Sequence, residues 1–191
     1  MTKVIGLTGT FLAGTGTAGK MLSELLDAPI LNFGDAIREM LRRQGKTITR
    51  DVLHETGNAI RHKDPAGISK LLLSQIAERP EPFFVVEKLR SLGDYRGMAD
   101  ALGKDFILIA LDAPPRLRYS RLLLRRREGE EKLSFEQFLE SEKRELDEGP
   151  FEWQMHISAL MARAEAILVN DGSEQELRSK LEAFIVKTGL R

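Results

Sequence analysis

One stretch near the start of the chain, KVIGLTGTFLAGTGTAGK over residues 3–20, constrains the fold more than any other. The apolar run 4–8 reads as a buried strand, which breaks into a glycine-rich turn and then into an amphipathic segment. Glycines between a strand and a helix let backbone N–H groups converge on an anion at the helix N-terminus. The pattern is written G-x-x-x-x-G-K when a lysine also contacts the outer phosphates.

The pattern fits in two registers. In the first, Gly9 follows the strand directly, Gly14 is the second fixed glycine, and Thr15 stands where the lysine belongs. In the second, Gly14, Gly19 and Lys20 satisfy the pattern, but Met21 replaces the usual Ser or Thr and residues 9–13 become an insertion. The first register is preferred. It keeps the turn tight against the strand and leaves Ala18, Met21, Leu22, Leu25 and Leu26 as the buried stripe of the following helix. A secretory signal reads poorly, since five glycines between residues 6 and 19 spoil an apolar h-region. A glycine-rich turn that binds nothing is the bland alternative, and the rest of the chain weighs against it.

Composition narrows the classes. With 191 residues the chain suffices for one domain with a sizeable core and small inserted lobes. The 29 basic and 29 acidic residues balance, so no overall field points to nucleic acid or a membrane surface, and neither is expected as a partner. The absence of cysteine removes disulfides, thiolate metal sites and cysteine nucleophiles, which fits a reducing, cytoplasmic setting. Apolar runs such as 83–86 and 106–111 are far too short to span a bilayer.

Beyond the first helix, helices alternate with apolar runs. Residues 28–33 read as a second strand, and Asp35 is the expected N-cap of a helix ending near Gly45. Arg38 lies one turn inside that helix, beyond a strand's carboxyl end, where parallel sheets bind ligands. Helices are expected over 49–62 and 66–79, separated by the Asp64-Pro65 break. Arg50, Asn58 and Arg61 either line a polar edge facing a substrate or form a solvated helix face. His54 and His62 lie eight apart without accompanying carboxylates, so both read as surface or partly buried rather than as metal ligands.

The run 82–86 is a third strand ending in Glu87, a carboxylate placed to hold a metal-bound water or orient an acceptor. A helix over 93–102 and a strand over 106–111 follow. Runs apolar on both faces, alternating with helices, mark a parallel sheet covered on both sides.

Next comes an arginine-dense helix with Arg116, Arg118, Arg121, Arg125, Arg126 and Arg127. Arg118, Arg121 and Arg125 share a face, which can present several guanidinium forks to one polyphosphate. Glu128, Glu130 and Glu131 allow the plainer reading of an exposed, ion-paired helix. Helices are then expected over 134–147 and 152–163, with Trp153 packed, then a strand over 166–169 and a capped helix over 174–187.

Taken in order, these residues resemble the P-loop kinases that phosphorylate nucleoside monophosphates and dephospho-coenzyme A. Gly34-Asp35-Ala36-Ile37-Arg38 resembles the Gly-Asp-x-x-Arg of adenylate kinase, whose arginine grips the acceptor's phosphate. Glu87-Lys88-Leu89-Arg90, the segment from Asp112 through Arg118, Ser134-Phe135-Glu136 and Asn170-Asp171-Gly172 are similar to an archaeal-type, nucleotide kinase-like branch of that group. The resemblance implies a three-layer α/β/α fold with a five-stranded parallel sheet in the order 2-3-1-4-5. It implies a single domain over 1–191, with an acceptor-binding helical lobe at about 34–80 and a small lid at about 121–135.

It also implies ATP or another nucleoside triphosphate, with Mg2+, and a small nucleotide-like acceptor. Gly9, Ala13, Gly14, Thr15, Gly16 and Thr17 would cradle the donor phosphates, with Asn170 and Gly172 bordering its base. Asp35, Arg38, Arg61 and Arg90 would orient the acceptor. Thr17 and Glu87 would hold magnesium, and Arg121, Arg125 and Arg127 would close on the phosphoryl group in flight, which carries spread negative charge.

Thr15 departs from that pattern, because the family's loop ends Gly-Lys-Gly-Thr where this one reads Gly14-Thr15-Gly16-Thr17. Losing a donor aimed at transition-state charge costs about a hundred- to a thousandfold in rate. Three readings follow: a kinase of little activity, a kinase in which Lys20, Lys88 or a lid arginine supplies the charge, or a nucleotide-binding regulatory module without turnover. In the preferred register Lys20 lies too far along the helix to reach.

Overall fold

The opening strand is apolar on both faces. The structure is a computed structural model that describes residues 2–125, 133–146 and 148–190, and it buries both of those faces. From β1 (Lys3–Gly9) the chain runs through α1 (Thr15–Leu26), β2 (Ile30–Asn32), α2 (Phe33–Arg43), α3 (Arg50–Lys63) and α4 (Gly67–Ala77) to β3 (Phe83–Glu87). It continues through α5 (Leu92–Leu102), β4 (Phe106–Asp112), α6 (Pro115–Arg125), α7 (Phe135–Leu146), α8 (Ile157–Met161), β5 (Ala166–Val169) and α9 (Glu174–Thr188). The five strands form one sheet in the order β2-β3-β1-β4-β5, every pairing parallel. Both the order and the parallel sense match the expectation.

Alternation along the inner strands decides what lies on each side. Ile5 and Leu7 of β1, Val85 of β3 and Ile107, Ile109 and Leu111 of β4 point to one face, against α1 and α9. Val4, Phe84, Val86, Phe106 and Leu108 point to the other, against α2, α4, α5 and α8. Burying each such side chain is worth about 1.5–3 kcal/mol, so both layers are needed to hold the sheet. On α1 the buried stripe is Ala18, Gly19, Leu22 and Leu26, with Met21 and Leu25 half-buried beside it.

Two local expectations are corrected. Asn32, not Asp35, caps α2: its side chain accepts from Asp35 N at 3.0 Å. Asn32 is also the last residue of β2 in register with Glu87, so the helix begins at the point where sheet pairing stops. The helix expected over 152–163 shrinks to α8. Its first half is drawn into extended pairing with the segment after β3, through Gly93 N to Glu152 O at 2.9 Å, His156 N to Arg90 O at 2.8 Å and a Ser91–Met155 bridge. Trp153 is half-buried, its ring 4.6 Å from His62 and stacked on Phe151 at 5.8 Å. Residues 126–132 of the expected lid, Arg126 and Arg127 among them, lie outside the described residues.

Candidate phosphate-binding site

The first register is the one the backbone takes. β1 ends at Gly9, whose φ of 148° and approach to the Leu111 carbonyl leave no room for a Cβ. Thr10 N donates to Leu111 O at 3.2 Å, and Thr10 Oγ1 donates to Asp112 Oδ1 at 2.7 Å, tying the turn to the end of β4. The loop then passes through Leu12 (φ 62°) to Gly14 (φ 100°), after which α1 begins. No side chain caps α1 and no acid occupies its first turn. The N–H groups of that turn, which lack acceptors inside the helix, are therefore left for an anion. Lys20 is exposed on α1 and does not line the cavity described below.

Three side chains from distant segments hold this loop. Asn170, buried after β5, donates Nδ2 to Ala13 O at 2.8 Å and would collide with any Cβ on Gly14. Arg121 donates to Leu12 O at 3.2 Å and to Asn170 O at 2.9 Å. Arg118 is not available to a polyphosphate as its helical spacing suggested. Only 3% exposed, it donates to Ala113 O at 2.6 Å, to Phe11 O at 3.4 Å and to the Glu142 carboxylate at 3.0 Å. The α6 face that carries these arginines packs onto the loop and α7, so Arg118 is spent joining them.

Above the loop lies one cavity of about 870 Å³, within the range of small-molecule sites. It gathers Gly9, Gly14, Thr15, Gly16, Thr17, Asn170 and Gly172 from the donor set of the sequence analysis, together with Arg61, Arg90, Arg121 and Arg125. With Lys88, five cations line it among the described residues, against a single acid, Glu174. The other expected site residues lie outside the lining. Ala13 is fully buried, contributing its carbonyl to Asn170. Asp35 and Arg38 pair with each other at 2.7 Å on an exposed face. Glu87, half-buried at the end of β3, packs its carboxylate against Gly19 of α1; burial raises its pKa, opposed by Lys88 and Lys20.

Sequence reasoning passed over Thr8 and Asp94. Thr8 lines the cavity at the end of β1. Asp94 is 2% exposed and lies 3.6 Å from Arg61, which it fixes in the cavity wall. Burial raises the Asp94 pKa, opposed by Arg61 and by the Ser91 hydroxyl that donates to it at 2.8 Å. The signal was present in the Ser91-x-x-Asp94 spacing, a helix-capping pattern that carries no hint of the arginine. Among the described residues no group of three or more His, Asp or Glu could hold a metal ion by itself. No helix among them is long and apolar enough to cross a membrane.

Comparison with known proteins agrees with this geometry. A UPF0200/UPF0201 protein of Archaeoglobus fulgidus is 28% identical over 188 residues, covering 97% of this chain and 55% of that protein. This chain thus spans about half the length of that relative. A UPF0200 protein of Pyrococcus abyssi is 29% identical over 188 residues, covering 96% of each. In fold the chain is similar to a shikimate kinase from Bacteroides thetaiotaomicron, with a TM-score of 0.56 and 18% identity over 96% of this chain and 98% of that one. The model of the AAA domain family AAA_17 matches residues 8–138, from the end of β1 through the loop and all of α6. The chain belongs to that family, with a P-loop kinase-like nucleotide-binding fold.

Proposed function

We propose that this chain transfers the terminal phosphoryl group of ATP, or another nucleoside triphosphate, to a small nucleotide-like acceptor. The observation that carries this reading is the cavity over the loop, in which an uncapped helix N-terminus and a glycine turn face five cations drawn from three other segments. Backbone amides of the loop and of residues 15–17 would cradle the donor phosphates, while Asn170 and Gly172 border the base. Arg121 and Arg125 stand over the transferring group. Arg61 and Arg90, with Asn32 and Gly34, line the acceptor side. Such a site works by positioning and charge stabilisation, since the phosphoryl group needs little covalent help.

The donor set fits a magnesium ion carried in on the phosphates better than one caged by protein, because Thr17 lines the cavity and, among the described residues, no carboxylate cluster does. When bound, the ion would supply positive charge that offsets that of the phosphates. Thr17 would hold the ion, and Glu87, behind the loop and outside the lining, would orient a water toward it. The cationic lining, with Glu174 as its one acid among the described residues, favours a monophosphate acceptor. A phosphate oxygen attacks without losing a proton, whereas a hydroxyl acceptor such as that of dephospho-coenzyme A needs a base, and Glu174 lies on the donor side beyond Gly172.

The test is transfer of label from γ-phosphate-labelled ATP with Mg2+ to each nucleoside monophosphate and to dephospho-coenzyme A. Label moving to one monophosphate, and lost on replacing Arg125 by Ala, supports the reading. Triphosphate binding with no transfer to any acceptor would replace it by a regulatory nucleotide-binding module, the reading that the uncharged Thr15 favours.

A further inference from the structure

The loop has lost its cation at Thr15, and the neighbouring strand brings one to the same cavity. Lys88 directly follows the end of β3 with φ at 62°, a left-handed conformation in which a long side chain is seldom found. The turn is held on both sides. Leu89 is fully buried and its N–H donates to Leu7 O of β1 at 3.1 Å, so the chain must bend over the end of β1, beside the loop. Strain of this kind persists where surrounding structure imposes it, and it clusters at functional sites. Here the bend places Lys88 in the lining with Thr8, Gly9, Thr15 and Gly16.

Two of the other cavity cations are already engaged. Arg61 is held by Asp94, and Arg121 by two carbonyls of the loop and its clamp. Lys88 is exposed, and among the described residues no carboxylate forms an ion pair with it. Its neighbour Glu87 turns instead toward Gly19. Beside it, the Thr8 hydroxyl is 2% exposed and has no hydrogen-bond partner among the described residues. A buried hydroxyl is normally paired, so its vacancy at the wall of a cation-lined cavity points to a ligand oxygen.

Resting on the kinase reading above, we infer that Lys88, assisted by the Thr8 hydroxyl, contacts the terminal phosphate of the bound triphosphate and replaces the cation absent at Thr15. A lysine at the end of β3 approaches that phosphate from the acceptor side of the sheet, whereas a loop lysine would approach from α1. The charge is therefore supplied from a different strand to the same oxygens.

Glycine adopts φ 62° without strain, so Lys88→Gly removes the cation while favouring the fold. The full chain is titrated calorimetrically with adenylyl imidodiphosphate and with ADP, each with Mg2+, as wild type, Lys88→Gly and Thr15→Lys/Lys88→Gly. Lys88→Gly should weaken the triphosphate analogue about tenfold to a hundredfold, the range for a charge-assisted hydrogen bond. ADP should weaken far less, Tm should stay level or rise, and the double variant should recover most of the lost affinity. Triphosphate affinity unchanged in Lys88→Gly, or lost equally for both nucleotides, would overturn the contact while leaving the kinase reading intact. A wild-type chain that binds neither nucleotide would remove both, and that result is read before any variant is made.

Discussion

Replacing Arg118 by Met tests whether the arginine-dense helix serves the loop or an anion. The guanidinium is 3% exposed and its partner Glu142 is 7% exposed. It makes three hydrogen bonds, at 2.6, 3.0 and 3.4 Å, to Ala113, Glu142 and Phe11. Methionine fills much of the same space beside the Phe138 ring, whose centroid lies 5.8 Å from the guanidinium carbon, so the loss is of charge and hydrogen bonds more than of packing. Removing one partner of a buried ion pair costs about 3–5 kcal/mol, chiefly because the other charge is left unpaired. In a chain of this length each kcal/mol lowers Tm by about 2–4 °C, so the expected drop is about 6–20 °C. Urea unfolding followed by circular dichroism, with scanning calorimetry beside it, measures both quantities. Arg118→Met/Glu142→Leu should recover most of the loss, since an apolar pair of similar volume replaces a buried ion pair at little cost. A single variant within about 1 kcal/mol of wild type, the worth of a surface ion pair, would refute this reasoning. So would a double variant no more stable than the single one.

Three other variants probe separate parts of the site. Gly14→Ala puts a side chain at φ 100° and drives it into Asn170; it should cost about 1–3 kcal/mol and abolish calorimetric binding of the triphosphate, and retained binding would contradict the loop geometry. Asp94→Asn tests the buried acid. Because burial raises its pKa, the folded chain keeps this proton to higher pH than the unfolded chain, and stability is lost as pH rises from the ordinary aspartate value to the raised one. The wild-type minus Asp94→Asn difference in unfolding free energy should therefore fall across that window in urea titrations, and a flat or rising difference would show that burial does not dominate. Lys20→Ala should leave triphosphate affinity unchanged, since Lys20 lies outside the cavity; a large loss would reinstate the other register of the loop.

What the chain discloses before folding is what depends on near neighbours. β1, the turn and α1 are legible because the apolar run, the glycines and the helical stripe are contiguous, and the two-sided apolar runs of β3 and β4 require a covered parallel sheet. The strand order itself was implied by resemblance rather than by any local signal. Contacts between distant segments were not legible. The spacing of Arg118, Arg121 and Arg125 shows that they share a face, but only the docking of α6 shows that this face meets carbonyls of the loop. Asn32 and Asp35 are equally good caps by residue type, and the choice rests on where β2 stops pairing with β3. The backbone at Lys88 was equally hidden, because it follows from the bond between Leu89 and β1 rather than from the lysine.

The most direct measurement is calorimetric titration of the wild-type chain with adenylyl imidodiphosphate and Mg2+, followed at saturation by each nucleoside monophosphate and by dephospho-coenzyme A. One donor bound per chain, with a single monophosphate binding more tightly when the donor is present, is the predicted result. No heat with any nucleotide, together with no rise in Tm, would contradict it: the cavity over the loop would then not be a nucleotide site.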